Sequence, residues 1–309
     1  MPQGSLSISK ALSNVSIQYK NGQYIFNQFL KDVPVTQDSG KYFVYNKNMR
    51  LEETERANRS PANMATFGVS TSIYLVREHA LKDVISDADR DNSDVPGSLD
   101  VDTVEFLTDK ILMRQEKIVS DLIFTTTTWS QNGTLTTASS WNYNTTTSAP
   151  IQSVLSATAV ILAQSGKMAN TMIFNNAVLN ALKENNNVYN RLAYTRDQIL
   201  TKDILASLFD MDNIYVGTAQ YETNQEGLDS TQTAIWPSDA FIGYFEQFPG
   251  LKKATAINMF RVKKKGMPYR VKKWWDEDIE GTYIEVQTKG IPKAIATLTG
   301  YLYKTVALI

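Results

Sequence analysis

The sequence holds one histidine, His79, in the string VREHALKD, and any Ser-His-Asp scheme would have to use it. No Gly-x-Ser-x-Gly elbow accompanies it; GVSTS, starting at Gly68, fails at its last position. A lone histidine without a nucleophile reads as a structural polar residue. The strings SGK at Ser39 and Ser165 lack the leading glycine of a phosphate-binding loop, and there is no Gly-x-Gly-x-x-Gly. DADRDNSD, from Asp87, begins like a calcium loop, with acids at 87, 89 and 91. Asn92 then replaces the turn glycine, and Ser98 stands where the bidentate glutamate belongs. That stretch reads as an acidic exposed loop. RVKKKGMPYRVKKWWDED combines bases with Tyr269, Trp274 and Trp275, a pattern that suits single-stranded nucleic acid. In a strand, Arg270, Lys272 and Trp274 share one face and Val271, Lys273 and Trp275 the other. A subunit contact or hairpin is therefore favoured over nucleic-acid recognition.

These candidates assemble no nucleophile, base and oxyanion site. The expectation is a protein with no catalytic, cofactor-binding or metal-binding residues, whose working parts are surfaces. The absence of cysteine excludes disulfides, thiol catalysis and cysteine zinc sites. A net charge of −1 over 309 residues argues against a dedicated nucleic-acid binder. No apolar run is long enough to span a membrane, and MPQGSLSISKALSNVS lacks the apolar core of a secretory signal. Asn-x-Ser/Thr sequons at Asn14, Asn58, Asn132 and Asn144 then read as chance in an Asn/Thr-rich chain.

The charges fall in blocks. Lysines 10, 20 and 31 meet no acid before residue 32. Asp83 to Asp109 is acidic except for Arg90, and Lys252 to Lys273 carries only bases. Such blocks read as solvated faces or as complementary surfaces on neighbouring copies.

The elements that must position these surfaces follow from periodicity. SGKYFVY and ATFGVSTSIYLV read as two strands flanking a charged tip. The tip carries Arg50, Glu52, Glu53, Glu55, Arg56 and Arg59, which cannot be buried without many partners. A break is expected at Pro96-Gly97, then a long helix over 98–124 capped by Ser98 or Asp100. Val104, Leu107, Ile111, Ile118 and Leu122 form its apolar stripe, widened by Leu112 and Val119. Residues 125–148 read as short strands and loops around an Asn132-Gly133 turn. From Pro150, helix and strand patterns alternate as in a compact α/β unit, and the tail returns to strands, ending in AIATLTGYLYKTVAL.

Three strings in this order resemble a known family: FLKDVPVTQDSGKYFVYNKNMR, ERANRSPANMATFGVSTSIYLVREHALKDV and VDTVEFLTDKILMRQEKIVSDLIFTTTTW. Pro34, Val35, Ser39, Gly40, Lys41 and Tyr42 carry the first; Arg56, Ala57 and Pro61 the second; Arg114, Glu116 and Lys117 the third. The chain resembles the major capsid proteins of tailed double-stranded DNA bacteriophages with the Hong Kong 97-type fold. The specific similarity covers about the first 130 residues. The resemblance implies an α+β subunit with an N-terminal arm over 1–32 and an extended two-stranded loop over 33–80. A peripheral domain over 81–149 would contain the spine helix 98–124. An axial domain over 150–245 and returning strands over 246–309 complete the expected division. It implies pentamers and hexamers of the chain itself in a closed icosahedral shell, portal and scaffolding proteins as partners, and double-stranded DNA packaged without sequence preference. It places the protein in the virion, after assembly in the host cytoplasm, with no membrane partner. The tip residues, together with Lys272, Lys273, Trp274 and Trp275, are the expected inter-subunit contacts. Two other readings stay open: an encapsulin-type cellular nanocompartment shell, and an α/β enzyme of unknown type.

Overall fold

A helix of 28 residues, Pro96–Ile123, is the longest element of the computed structural model and spans about 42 Å. It starts two residues before the expected capping positions. Proline lacks only an N–H that the first helical turn leaves unpaired, so Pro96 opens the helix instead of breaking it. Asp100 lies inside the helix and binds cations there. Val104, Leu107, Ile111, Leu112, Val119 and Ile123 are buried. Ile118 and Leu122 are only partly covered, because Gln115, Glu116 and Ser120 occupy the buried line between them.

The structure describes all residues except 1–6, 9–11, 14, 17–20, 46–50, 52, 65–68, 94–95, 143–146, 193–199, 225–226, 228, 252, 264–266 and 308–309. The strands are β1 (Ser7–Ile8), β2 (Asp32–Val35), β3 (Ser39–Tyr45), β4 (Val69–Leu75), β5 (Arg77–Ser86), β6 (Gln131–Thr134), β7 (Thr171–Asn175), β8 (Asn213–Gly217), β9 (Gln220–Glu222), β10 (Gln232–Ala234), β11 (Ala240–Gly243), β12 (Ile257–Val262), β13 (Tyr269–Asp276), β14 (Gly281–Ala294) and β15 (Gly300–Lys304). The helices are α1 (Phe26–Phe29), α2 (Asp87–Asp91), α3 (Pro96–Ile123), α4 (Pro150–Ser165), α5 (Asn176–Glu184), α6 (Asn186–Leu192) and α7 (Lys202–Phe209).

The first sheet runs β1-β13-β14-β12-β2, and β5 also pairs with β14. Strand β14 holds it together: it pairs with β13 over 281–288, with β5 over 281–290 and with β12 over 290–294. It runs on to Ala294, so the first residue of AIATLTGYLYKTVAL ends β14, and the last strand is the shorter β15. Helix α3 packs on this sheet, and Val271, Ile284 and Val286 join Leu107, Ile111 and Val119 in one core. The second sheet runs β6-β15-β11-β7-β8. Parallel β7 and β8 are joined through α5, α6 and α7, as the alternating pattern predicts. Helices α4 to α7 bury Val154, Ile161, Leu182, Leu205 and Phe209 around Phe174 and Tyr303.

Two further expectations change. Asn132-Gly133 lies inside β6, parallel to β15, and not in a turn. A side chain at Gly133 would collide with Tyr301, whose hydroxyl lies 2.9 Å from an ideal Cβ, so close packing and not chain reversal calls for glycine here. The two-stranded ribbon proper is β3 and β4, paired from Ser39 with Leu75 to Tyr45 with Val69. Residues 33–35 and 77–80, expected within the extended loop, are sheet strands. Val33 and Val35 bury beside Phe260 and Val262, and β5 pairs along β14.

Candidate assembly surfaces

Enzyme-like chemistry finds no constellation among the described residues. His79 sits on β5, and burial first, then Arg114, Arg77 and Arg261, push its imidazole below the ordinary value. No cluster of three metal-ligating side chains occurs among these residues. DADRD, expected as an exposed loop, is helix α2: the Ser86 hydroxyl accepts from Asp89 N–H and donates to the Asp89 carboxylate at 2.6 Å. Acids at 87 and 89 therefore serve a helix N-terminus. Three clefts of about 390, 520 and 510 Å³ are lined without histidine. The first contains Asn21, Tyr24, Asp32 and Tyr269 beside Arg261.

Arg261 is a strut. Its buried guanidinium donates to Asp32 at 3.1 Å, Thr288 at 3.3 Å and Gln115 at 3.4 Å, tying β12 to β2, β14 and α3. Arg261→Ala would take the donor from buried Gln115 Oε1, leave Thr288 only its bond to the Pro268 carbonyl, and remove the cation that faces Asp32. Asp32 is partly exposed and regains water, so the cost is that of the lost charge-assisted hydrogen bonds and packing, a net of about 2–3 kcal/mol. The expected result is a fall in the denaturant midpoint of the subunit with an unchanged slope; a midpoint equal to wild type would contradict it.

The ribbon is exposed along most of its length. Alternation along its strands sorts the side chains into two faces. Tyr42 and Tyr74 turn inward at the root, where Tyr74 stacks on Phe260 with ring centroids 4.7 Å apart. Gly40 leaves room for this: a Cβ there would lie 2.5 Å from the Tyr74 hydroxyl. On the other face Phe43, Ile73 and Leu75 are 36%, 62% and 58% exposed. Glu53, Glu55, Arg56 and Arg59 are exposed at the tip, while Arg50 and Glu52 lie outside the described residues. The tip is shaped by its own bonds: Asn63 Nδ2 donates to the Glu53 carbonyl at 2.9 Å, and Ser60 Oγ to the Ala57 carbonyl at 2.9 Å. Arg59 adopts a left-handed backbone, φ 63°.

The four candidates on β13 divide. Lys272 donates to Glu285 at 2.6 Å. Lys273 and Arg90 both pair with Asp100. Burial pushes the Asp100 carboxyl up, but hydrogen bonds from Lys273 and Arg90 more than offset it and hold the group below its ordinary value. Trp274 stacks on Tyr283 at 5.3 Å. Trp275 alone is left largely outward, 51% exposed, with its indole N–H donating to Asp87 at 3.1 Å. Sequence reasoning missed Glu116 as more than a motif letter. It is fully buried on α3, accepting from Ile25 N–H, Phe26 N–H and the Trp236 indole. The signal was an acid sitting on the apolar stripe, four residues after Leu112 and three before Val119.

A chain with outward-facing ribbon and β13 surfaces, and no reactive constellation among its described residues, is matched over residues 124–297 by the family model described as phage major capsid protein E. The chain belongs to that family. Among relatives of this capsid-family chain is the major capsid protein of Burkholderia phage BcepMu, 26% identical over 266 residues that cover 84% of this chain and 85% of the relative. The major capsid protein of Pseudomonas phage JBD67 is 20% identical, with 84% of each chain covered. Solved structures share the fold. A phage-related protein from Bordetella bronchiseptica RB50 superposes with a TM-score of 0.78 at 20% identity, over 99% of both chains. The virus-like particle from Pyrococcus furiosus gives 0.55 at 10% identity, over 95% of this chain and 96% of that one. The capsid structure of the cyanophage P-SCSP1u gives 0.57 at 10% identity, over 91% and 88%. The mixed α+β architecture of this family member is thus that of phage capsid proteins.

Proposed function

We infer that the chain is the shell-building subunit of a tailed-phage head, with no enzymatic activity of its own. Membership of the capsid family, through the match over 124–297, carries this reading. The projecting ribbon adds the physical argument: Phe43, Ile73 and Leu75 are apolar side chains held away from their own core. In an assembled shell they lie on a neighbouring copy, and the charged tip meets that copy's charges. Residues 150–245 pack around five- and six-fold axes, and residues 81–149 form the periphery with α3 as spine. Trp275 is the member of the β13 group that best suits a contact between copies.

The subunit encloses double-stranded DNA through phosphate-level contacts only, since a shell lining must tolerate any base sequence. A portal and scaffolding proteins are the further partners; assembly takes place in the host cytoplasm and the mature protein resides in the virion. An encapsulin-type shell is the second reading, and the family match favours phage heads over it.

Electron microscopy of the purified protein, expressed with and without its phage's scaffolding protein, tests the proposal. Closed shells of uniform size support it. Monomers under both conditions, at concentrations where phage heads form, would overturn it. Nuclease-protected DNA in particles from infected cells separates a genome container from a cargo compartment.

A further inference from the structure

Glu116 lies where three stretches of chain meet: helix α3, the turn into α1, and the segment before β11. Its side chain has no exposed surface. Oε1 accepts from Ile25 N–H at 3.0 Å and from Trp236 Nε1–H at 2.7 Å, and Oε2 accepts from Phe26 N–H at 3.0 Å. Every bonded partner is a neutral donor from another part of the chain. Residues 21–30 and 233–238 contain no charged side chain. Of the charged groups on the surrounding elements, Asp109 also holds this stretch, accepting from Asn21 and Tyr24, while Lys117 pairs with Asp121, Arg261 with Asp32 and Lys304 with Asp239. The phenol of Tyr215, which packs on Phe29, is pushed further up by burial and stays neutral near pH 7.

We propose that Glu116 is a proton-linked latch that holds residues 21–30 on the body of the subunit, and that the latch loosens as pH rises towards neutrality. Geometry makes the linkage. Lifting residues 21–30 removes two of the three donors and opens the carboxylate to water, where it regains ordinary acidity. Docked, the group is pushed up to about 7: burial dominates and the three hydrogen bonds only partly offset it. The docked state therefore keeps a proton that the undocked state gives up. Docking is unaffected below about pH 4.5, weakens from there to about 7, and is level above that. Across this window the opening equilibrium rises by up to about 300-fold. Tyr24, Ile25, Phe26, Phe29 and Leu30 are all buried, so the docked form remains dominant. The proton sets how often it opens. Residues 21–30 run between two separately anchored stretches, strand β2 on one side and residues 7–16 on the other, where β1 pairs with β13 and Ser13 accepts from Val271 N–H, so the opening is local to this segment.

Hydrogen exchange at the Ile25 and Phe26 amides of the intact chain tests this, read as protection factors corrected for intrinsic exchange between pH 5 and 7.5. The wild type is expected to lose about 50-fold of protection across that interval. Glu116→Gln, which cannot titrate, is expected to start lower and stay flat. A flat wild-type profile, or a Glu116→Gln profile with the wild-type slope, would overturn the proposal. Trp236→Phe removes one donor and must move the midpoint upward; an unmoved midpoint would equally overturn it. The readout is a property of the subunit alone, so it does not depend on shell formation.

Discussion

Replacing Ile111 with aspartate is expected to leave no folded subunit. Ile111 is 2% exposed on α3, packed in the core shared by that helix, the first sheet and Trp236. An aspartate there would sit beside buried Leu107, Thr108 and Gln115; the one cation a turn away, Arg114, is exposed and could reach it only by turning into the core. It must either ionise in an apolar site or spend free energy on staying protonated, and it leaves a hole where the isoleucine was. Each of these costs several kcal/mol, against a total stability of about 5–15 kcal/mol for a domain. Lys117→Asp supplies the control. Lys117 is partly exposed and paired with Asp121, so its reversal creates an exposed repulsion worth roughly 0–1 kcal/mol. Thermal melting should show no cooperative transition for Ile111→Asp and a small shift for Lys117→Asp. The opposite ranking would mean that the buried face of α3 is misassigned.

Ile73→Asp combined with Leu75→Asp is expected to abolish particles while leaving the subunit folded. Both side chains are more than half exposed, on the ribbon face turned away from Tyr42 and Tyr74, so the isolated chain loses little by their replacement. In a shell these positions would bury two carboxylates against a neighbouring copy, at several kcal/mol per contact, repeated at every copy. Circular dichroism and melting should match wild type, while sedimentation should show only free subunits or capsomers. Normal yields of closed particles from the double variant would refute the role given to the ribbon. The milder companion, Glu53→Lys with Glu55→Lys at the tip, should reduce yield without eliminating it, since exposed charges contribute little singly.

Much of this architecture was legible because it rests on local periodicity. The stripe of α3, the strands β3, β4, β7, β8, β12 and β13, and the helices α4, α5 and α7 all declare themselves by spacing. Strand β5 does not. REHALKDVIS mixes charged and apolar residues on both faces, because an edge strand exposed on both sides has no face to keep dry. Glu116 was hidden for another reason: its partners lie about 90 and 120 residues away, at Ile25, Phe26 and Trp236. The fate of Lys273 was equally non-local, fixed by Asp100, whereas Lys272 meets Glu285 directly across the β13–β14 pairing. The strings behind the family resemblance lie before residue 130, whereas the family model matches 124–297, where the sequence reading had only the order of elements. Which tip charge meets which neighbour is a property of two copies, and no single chain encodes it in its local pattern.

Strand β14 has a mechanical consequence. The returning strand of the ribbon, β4, is separated from β5 by Val76 alone, and β5 is bonded to β14 through ten successive residue pairs. A pull transmitted down β4 into β5 runs along the strand and loads those pairs together, in shear, instead of peeling them apart one at a time. On its other flank β14 passes the load to β13 through eight further pairs, and beyond Gly290 to β12, which carries β2 and the Arg261 strut. A container pressed from within by packed polymer is under hoop tension. With the ribbon in the role proposed above, the same antiparallel pairing that closes the sheet would make each subunit a tie rod, with its strongest direction along the ribbon.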